Sequence, residues 1–236
     1  MFLVDRREKG LLTALLTSQL SCLDHILEAP LILATGLGEV NGIAPSPRES
    51  LLVATETGLW EVRADGNKRQ LIDSPIQDIS THPERLIALD AGAISWGPYP
   101  SHDEEFEFSQ QLSLPGASRI QAWFDDQLWI SQYQQIIVID LETQESTIHH
   151  ELNSNIQDIG LGLNQRVPSA LVMTNEGPFL INSSGIEAIE SPTPIISAVM
   201  DVENRLWSIS DEPTRLLLQQ GASNTIITDT IPPPRA

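Results

Sequence analysis

Short apolar segments broken by turn residues recur along this chain. Residues 52–60 read LVATETGLW, 86–94 LIALDAGAI, 128–136 LWISQYQQI and 171–179 LVMTNEGPF, and a looser copy, LWSISDEPTRLLL, starts at Leu206. Each has the form of an apolar strand, a short turn and a second apolar strand, the pattern of a tight antiparallel hairpin. Their first residues, 52, 86, 128, 171 and 206, are 34, 42, 43 and 35 apart. Gly58, Gly92 and Gly177 fall at one place in three copies, where a hairpin needs positive φ; Gln134 stands there in the third. Before each hairpin lies another apolar segment: VNGIA from Val40, IQDIS from Ile76, IQAWF from Ile120, IQDIG from Ile156 and ISAVM from Ile196. After each comes a fourth: 69–73, 108–114, 146–152, 185–190 and 224–231.

Four short antiparallel strands repeated at this spacing predict β-propeller blades. A β-sandwich also has many short strands, but it does not require a recurring unit of this length. The fold class predicted is all-β, a five-bladed β-propeller over residues 30–231. PLILAT (30–35) either completes the last blade or is the remnant of a sixth.

Residues 1–29 do not repeat, and two accounts of them stay open. Leu11, Leu12, Leu15, Leu16, Leu20, Leu23, Ile26 and Leu27 share a half-circle at helical spacing, which predicts an amphipathic α-helix stopped by Pro30. Alternatively, Arg6, Arg7 and Lys9 before LLTALLTSQL, with Cys22 after Ser21, have the layout of a lipoprotein leader, although Asp5 and Glu8 dilute the basic region. A retained helix implies a soluble cytoplasmic protein. A leader implies a periplasmic protein or one lipid-anchored through Cys22. Residues 232–236 are expected to form an extended tail.

Charge narrows the functional classes. The 236 residues carry 13 Lys plus Arg against 32 Asp plus Glu, a net charge of -19, which repels phosphate backbones and argues against nucleic-acid binding. No apolar run approaches the roughly 18 residues of a spanning helix. One cysteine permits neither an internal disulfide nor a cysteine-based zinc cluster.

Two family resemblances rest on particular residues. LLVATETGLWEVR (51–63) resembles the propeller repeat of two-component-regulator sensor proteins, with ALVMTNEGPFLI (170–181) and QLWISQYQQIIVID (127–140) as weaker copies. That resemblance implies a sensory or binding module. NGIAPSPRESLLVAT (41–55) is similar to a strand-turn-strand segment of gluconolactonase and paraoxonase propellers, which implies a catalytic calcium held by Glu, Asn and Asp in the central channel. Glu39 and Asn41 stand near the corresponding place, with Asp158 as a third ligand; a convincing downstream ligand set is missing.

If the innermost strands converge on a channel, Asn41, Gln77, Gln121, Gln157 and Ser197 share one position, and Asp78 and Asp158 follow in the second and fourth units. Such a set makes a polar pocket or a cation site. The structural alternative is hydrogen bonding to neighbouring backbone or to channel water. His149 and His150 are adjacent, so a regular strand points them to opposite faces and they cannot share a metal. His25, His82 and His102 are scattered among loops and the helix. HDEEFEF (102–108) is an acidic loop, read mainly as a solvated face. Trp129 and Trp207 share a strand position and read as packing, whereas Trp60, Trp96 and Trp123 are expected to be more exposed. The chain contains no HExxH, no GxSxG and no Gly-rich phosphate loop.

The leading functional expectation is a non-enzymatic protein-binding or scaffold propeller, with a ligand-sensing variant, that meets its partner through the N-terminal helix or a propeller face and needs no cofactor. The alternative is a calcium-dependent lactonase-like hydrolase.

Overall fold

The computed structural model describes residues 2–4, 11–16, 31–46, 50–99, 106–122, 126–164, 167–182, 185–190, 195–200, 205–210, 215–220 and 223–228. The chain divides into two compact units, Met1–Asp126 and Gln127–Ala236. All regular structure among the described residues is β-strand.

The first unit opens with β1 (Phe2–Val4), β2 (Leu11–Leu16) and β3 (Leu31–Thr35), an antiparallel sheet in chain order. Then follow two four-stranded antiparallel meanders. One comprises β4 (Val40–Pro45), β5 (Ser50–Thr55), β6 (Gly58–Arg63) and β7 (Lys68–Ile72); the other comprises β8 (Asp78–His82), β9 (Arg85–Asp90), β10 (Ala93–Pro98) and β11 (Gln110–Ser113). β12 (Ala117–Ala122) packs against β8 and β9. The second unit holds the meander β13 (Gln127–Gln132), β14 (Gln135–Asp140) and β15 (Ser146–Glu151). Two four-stranded sheets complete it: β16 (Ile156–Asn164), β17 (Val167–Thr174), β18 (Gly177–Asn182) and β19 (Gly185–Ala188), then β20 (Ile195–Met200), β21 (Leu206–Ser210), β22 (Arg215–Gln220) and β23 (Ser223–Thr228).

The repeat predicted five blades, or six; among the described residues, four four-stranded sheets are complete within one unit or the other. The strands of the third repeat, β12 and β13 to β15, fall on either side of the division after Asp126. PLILAT was expected to join the last blade or stand for a sixth. Its strand β3 instead pairs with β2, Leu11 opposite Thr35. The helix expected from Leu11 is also corrected, because Leu11–Leu16 is strand β2. Residues 17–30, including Cys22, and the tail 232–236 lie outside the described residues.

Burial explains why the repeat reads as continuous apolar runs. β5 is buried at all six positions, SLLVAT. Leu51 and Val53 join Ala34, Leu37, Val40 and Val62 on one face of the β4–β7 sheet. Leu52, Ala54 and Leu59 join Ile76, Ile79, Leu86, Ala88 and Phe106 on the other. A strand covered on both faces loses the polar alternation of a half-exposed one. Each such leucine contributes about 1.5–3 kcal/mol by leaving water. The outermost strands have no such cover: β7, β15 and β19 are largely exposed or half-buried.

The aligned glycines differ in backbone role. Thr55 pairs with Gly58 across a two-residue turn; the Thr55 hydroxyl donates to the Gly58 carbonyl at 2.8 Å and accepts the Thr57 N–H at 3.2 Å. Thr174 and Gly177 repeat this, with the Glu176 N–H as donor. Gly58 has φ 141° and Gly177 φ 122°. In the second copy Asp90 pairs with Ala93, so Gly92 lies inside the turn, with Ala91 at φ 45° and Gly92 at φ 79°. That pair of left-handed residues is what a primed hairpin turn demands.

Three further expectations change. Trp96, expected to be exposed, is 3% exposed, as buried as Trp129 and Trp207; Trp123 lies outside the described residues. His82 is not in a loop; it ends β8, is buried, and lies 3.8 Å from Asp126, which is 3.0 Å from Arg85. His149 and His150 do not face opposite ways. The β14–β15 register shifts between Ile136 and Ile137, leaving His149 as the extra residue of a bulge, and the two rings lie 4.5 Å apart.

Candidate functional site

The predicted polar positions of the first unit lie on or just before the leading strands of their repeats: Asn41 in β4, Gln77 immediately before β8, Asp78 in β8 and Gln121 in β12. Asn41 is the bulged residue of β4: Val40 pairs with Thr55 and Gly42 with Ala54, so Asn41 has no partner across the ladder. Its side chain donates to the Ile76 carbonyl at 2.9 Å. Gln77 gives its backbone N–H to Leu89 at 2.8 Å and its side-chain amide to the Ser118 carbonyl at 3.4 Å. The Gln121 amide donates to Ser80 Oγ at 3.2 Å.

Two further contacts serve β12 from β8. Asp78 Oδ2 accepts the Ile120 N–H at 2.9 Å, and Ser80 Oγ accepts the Ala122 N–H at 2.8 Å. Asp78 is 5% exposed and Ser80 2%. Buried backbone donors must be paired, and here side chains of one strand pair those of the next. Gly42 admits this packing, since a Cβ at that position would collide with the Asp78 carboxylate.

The remaining members belong to the second unit. Gln157 is the bulged residue of β16, as Asn41 is of β4, yet its amide bonds Asn175 Oδ1 in its own sheet. Asp158 Oδ1 accepts the Ile159 N–H at 3.0 Å. In the last repeat the register places Ile195 opposite Ser210 and Ser197 opposite Ile209. The bulged residue is therefore Ile196, and Ser197 matches Gly42 and Asp158 rather than Asn41.

A recess of about 350 Å³ opens at the starts of β4 and β8, lined by Glu39, Asn41, Glu56, Gln77, Asp90 and Arg119 among others. Glu39 leads into β4, Glu56 sits in the β5–β6 turn, Asp90 ends β9 and Arg119 comes from β12. Three carboxylates against one guanidinium leave an excess of negative charge there. The Arg119 Nη1 donates to the Ser118 carbonyl at 3.0 Å. Sequence reasoning found Glu39, Asn41 and Gln77 but missed Glu56, Asp90 and Arg119. The first two missed residues belong to hairpin ends whose proximity to β4 and β8 is tertiary. Glu56 and Asp90 do, however, share the pre-turn or turn place of the repeat.

Other candidates are structural where they are described. Phe106 and Phe108 of the acidic run pack edge to face at 4.7 Å, with Phe106 in the core. His25, His102 and the acids 103–105 lie outside the described residues. Lys68 lies 5.5 Å from the centre of the half-buried Trp60 ring. Among the described residues no three His, Cys, Asp or Glu side chains are grouped to hold a metal ion. Among the described residues there is likewise no helix long and apolar enough to cross a membrane.

No protein-family model matches this chain, and no curated protein matches it in sequence. Solved structures do. A chain of the nidogen/laminin complex aligns with a TM-score of 0.69 at 9% identity, covering 94% of this chain and 91% of that one. Virginiamycin B lyase from Staphylococcus aureus aligns with a TM-score of 0.58 at 14% identity, covering 79% and 69%. A gluconolactonase from Xanthomonas campestris aligns with a TM-score of 0.60 at 13% identity, covering 81% and 76%. At such identities the likeness concerns the fold alone, and the fold they share with this chain is the all-β propeller.

Proposed function

We propose that this protein is a binding propeller whose recess at the starts of β4 and β8 receives a basic group of a partner protein. One observation carries the proposal: Glu39, Glu56 and Asp90 line one cavity, where among the described residues Arg119 is the one cation. A guanidinium or ammonium group entering the recess gains from three carboxylates and from the carbonyl oxygens of Asn41 and Gln77, whose amide nitrogens already donate elsewhere. The net charge of -19 speeds the approach of a basic partner. A fold neighbour from a protein–protein complex supports this class of function, and the two-component-regulator resemblance adds a sensory variant of it.

The test is fluorescence anisotropy with a labelled arginine-rich peptide and with its glutamate counterpart. The arginine peptide is expected to bind, to weaken at high salt, and to lose about tenfold in affinity in the Glu39→Gln/Asp90→Asn variant, which corresponds to about 1.4 kcal/mol. Equal binding of both peptides, or a variant that binds as tightly as the parent, overturns the proposal.

The calcium-dependent hydrolase is the second reading, supported by the placing of both Glu39 and Asn41 on the recess. Calcium takes six to eight oxygen ligands. Asn41 offers its carbonyl oxygen and Glu39 its carboxylate, but Asp158 belongs to the second unit and accepts the N–H of Ile159. A melting temperature raised by calcium in the parent but not in Asn41→Ala, together with lactone turnover, moves the assignment to that reading.

A further inference from the structure

The β15 bulge has a chemical consequence in the second unit. In a regular strand neighbouring side chains point to opposite faces. In β15, Ile136 pairs with His150 and Ile137 with Ile148, so His149 is the extra residue. The bulge re-aims its side chain beside that of its neighbour. The His149 and His150 rings lie 4.5 Å apart at 58°. The other face of His149 meets Trp129 of β13 at 4.8 Å and 37°. Trp129 is 4% exposed, and His149 Nδ1 is buried without a hydrogen-bond partner among the described residues. His150 Nε2 lies 3.3 Å from the carbonyl of Asn182, the last residue of β18, and so carries the proton it donates there. Apart from its ladder to β14, β15 is lightly packed: its residues are exposed or half-buried, and Ile148 is 64% exposed.

We propose that the His149–His150 pair is an acid-sensitive latch that fastens β15 to Trp129 and to the end of β18 when neutral and releases β15 when both rings are charged. Charging both rings places two cations side by side, 4.5 Å between ring centres, and like charges that close repel. Burial, and then His150, hold His149 below the ordinary imidazole value of 6.5.

Among the described residues, no carboxylate of a neighbouring strand stands opposite His149 or His150 in the ladder. β13 carries no ionisable group, and neither does β18. Asp140 of β14 lies at the far end, opposite Gln127; Glu151 ends β15 opposite Gln135; and Glu187 of β19 lies opposite Leu180. With the folded value depressed, the stabilisation is fully present above pH 6.5 and is lost as pH falls through the folded value. Release uncovers the edge of β14, a strand whose four central residues, Ile136 to Ile139, are buried. Unpaired edges of this kind accept an added strand.

The experiment is a histidine Cε1–H NMR titration of the full chain with hydrogen exchange of the Ile137 and Ile148 amides. His149 is expected to titrate below 6.5 and to move up towards it in His150→Gln. Protection of those two amides, corrected for intrinsic exchange, is expected to fall about tenfold more than that of β9 between about pH 7.5 and pH 5. His149→Phe keeps the ring stack without the charge and should abolish the excess loss. A midpoint for His149 at or above 6.5 overturns the latch, as does the same acid-dependent loss of protection in His149→Phe. Should His149→Phe fold poorly, the titration of His150→Gln decides alone.

Discussion

Replacing Asp78 with alanine separates a structural carboxylate from a ligand. Asp78 Oδ2 accepts the Ile120 N–H at 2.9 Å, with Asp78 5% and Ile120 2% exposed. In Asp78→Ala that backbone donor loses its acceptor in a place water does not reach. An unsatisfied buried donor costs about 1–3 kcal/mol. Relief from burying a carboxylate offsets part of this, so the expected loss is about 2 kcal/mol, or roughly 4–8 °C in melting temperature for a chain of this size. Asp78→Asn keeps an acceptor oxygen and should lose about half as much. The assay is urea unfolding followed by circular dichroism and tryptophan fluorescence, with the slope of the transition checked for constancy. Stability of Asp78→Ala within about 0.5 kcal/mol of the parent, the range of an ordinary surface substitution, would show that the carboxylate does not hold β12 to β8.

The hairpin glycines give a paired comparison. A Cβ on Gly58 runs into the Ile72 carbonyl, whereas one on Gly177 meets nothing within 4 Å, so Gly58→Ala should destabilise clearly more than Gly177→Ala, whose cost is the φ strain of about 1–2 kcal/mol. Truncating a fully buried side chain between two sheets, Leu59→Ala, should cost about 2–5 kcal/mol in the same urea assay. Burial pushes the Tyr99 phenol up to about 12, against a lesser lowering by its bond to Thr81. An absorbance titration at alkaline pH should therefore show one of the two tyrosines ionising near 12, and the stabilisation it reflects, complete below pH 10, should be lost as pH rises through that value.

Much of the sheet order was legible because each strand carries its own pattern. The fourth strands read from 69–73, 146–152 and 185–190 appear as β7, β15 and β19 within a residue or two, except that β19 stops at Ala188. Register was less legible. A bulge adds one residue without changing composition, so Asn41, Gln157 and Ile196 occupy one backbone role although the letters align Ser197. The same blindness hid the His149–His150 contact, because alternation is the only rule a bare sequence offers for adjacent strand residues. The helical periodicity of Leu11 to Leu27 misled at its start. A run of leucines broken by single polar residues fits either period, and pairing with β3 decided for strand at Leu11–Leu16.

By itself the sequence determined the repeated four-strand unit, the absence of an internal disulfide and the acidic excess, since these depend on local patterning and on counts. Tertiary structure alone decided which polar residues meet. Glu39, Glu56 and Asp90 come from three different segments and share a recess only because the start of β4, the β5–β6 turn and the end of β9 lie at the same end of two packed sheets. Side-chain roles such as that of Asp78 follow likewise from which backbone donor the neighbouring strand leaves unpaired, a property of packing that no single strand carries in its own residues.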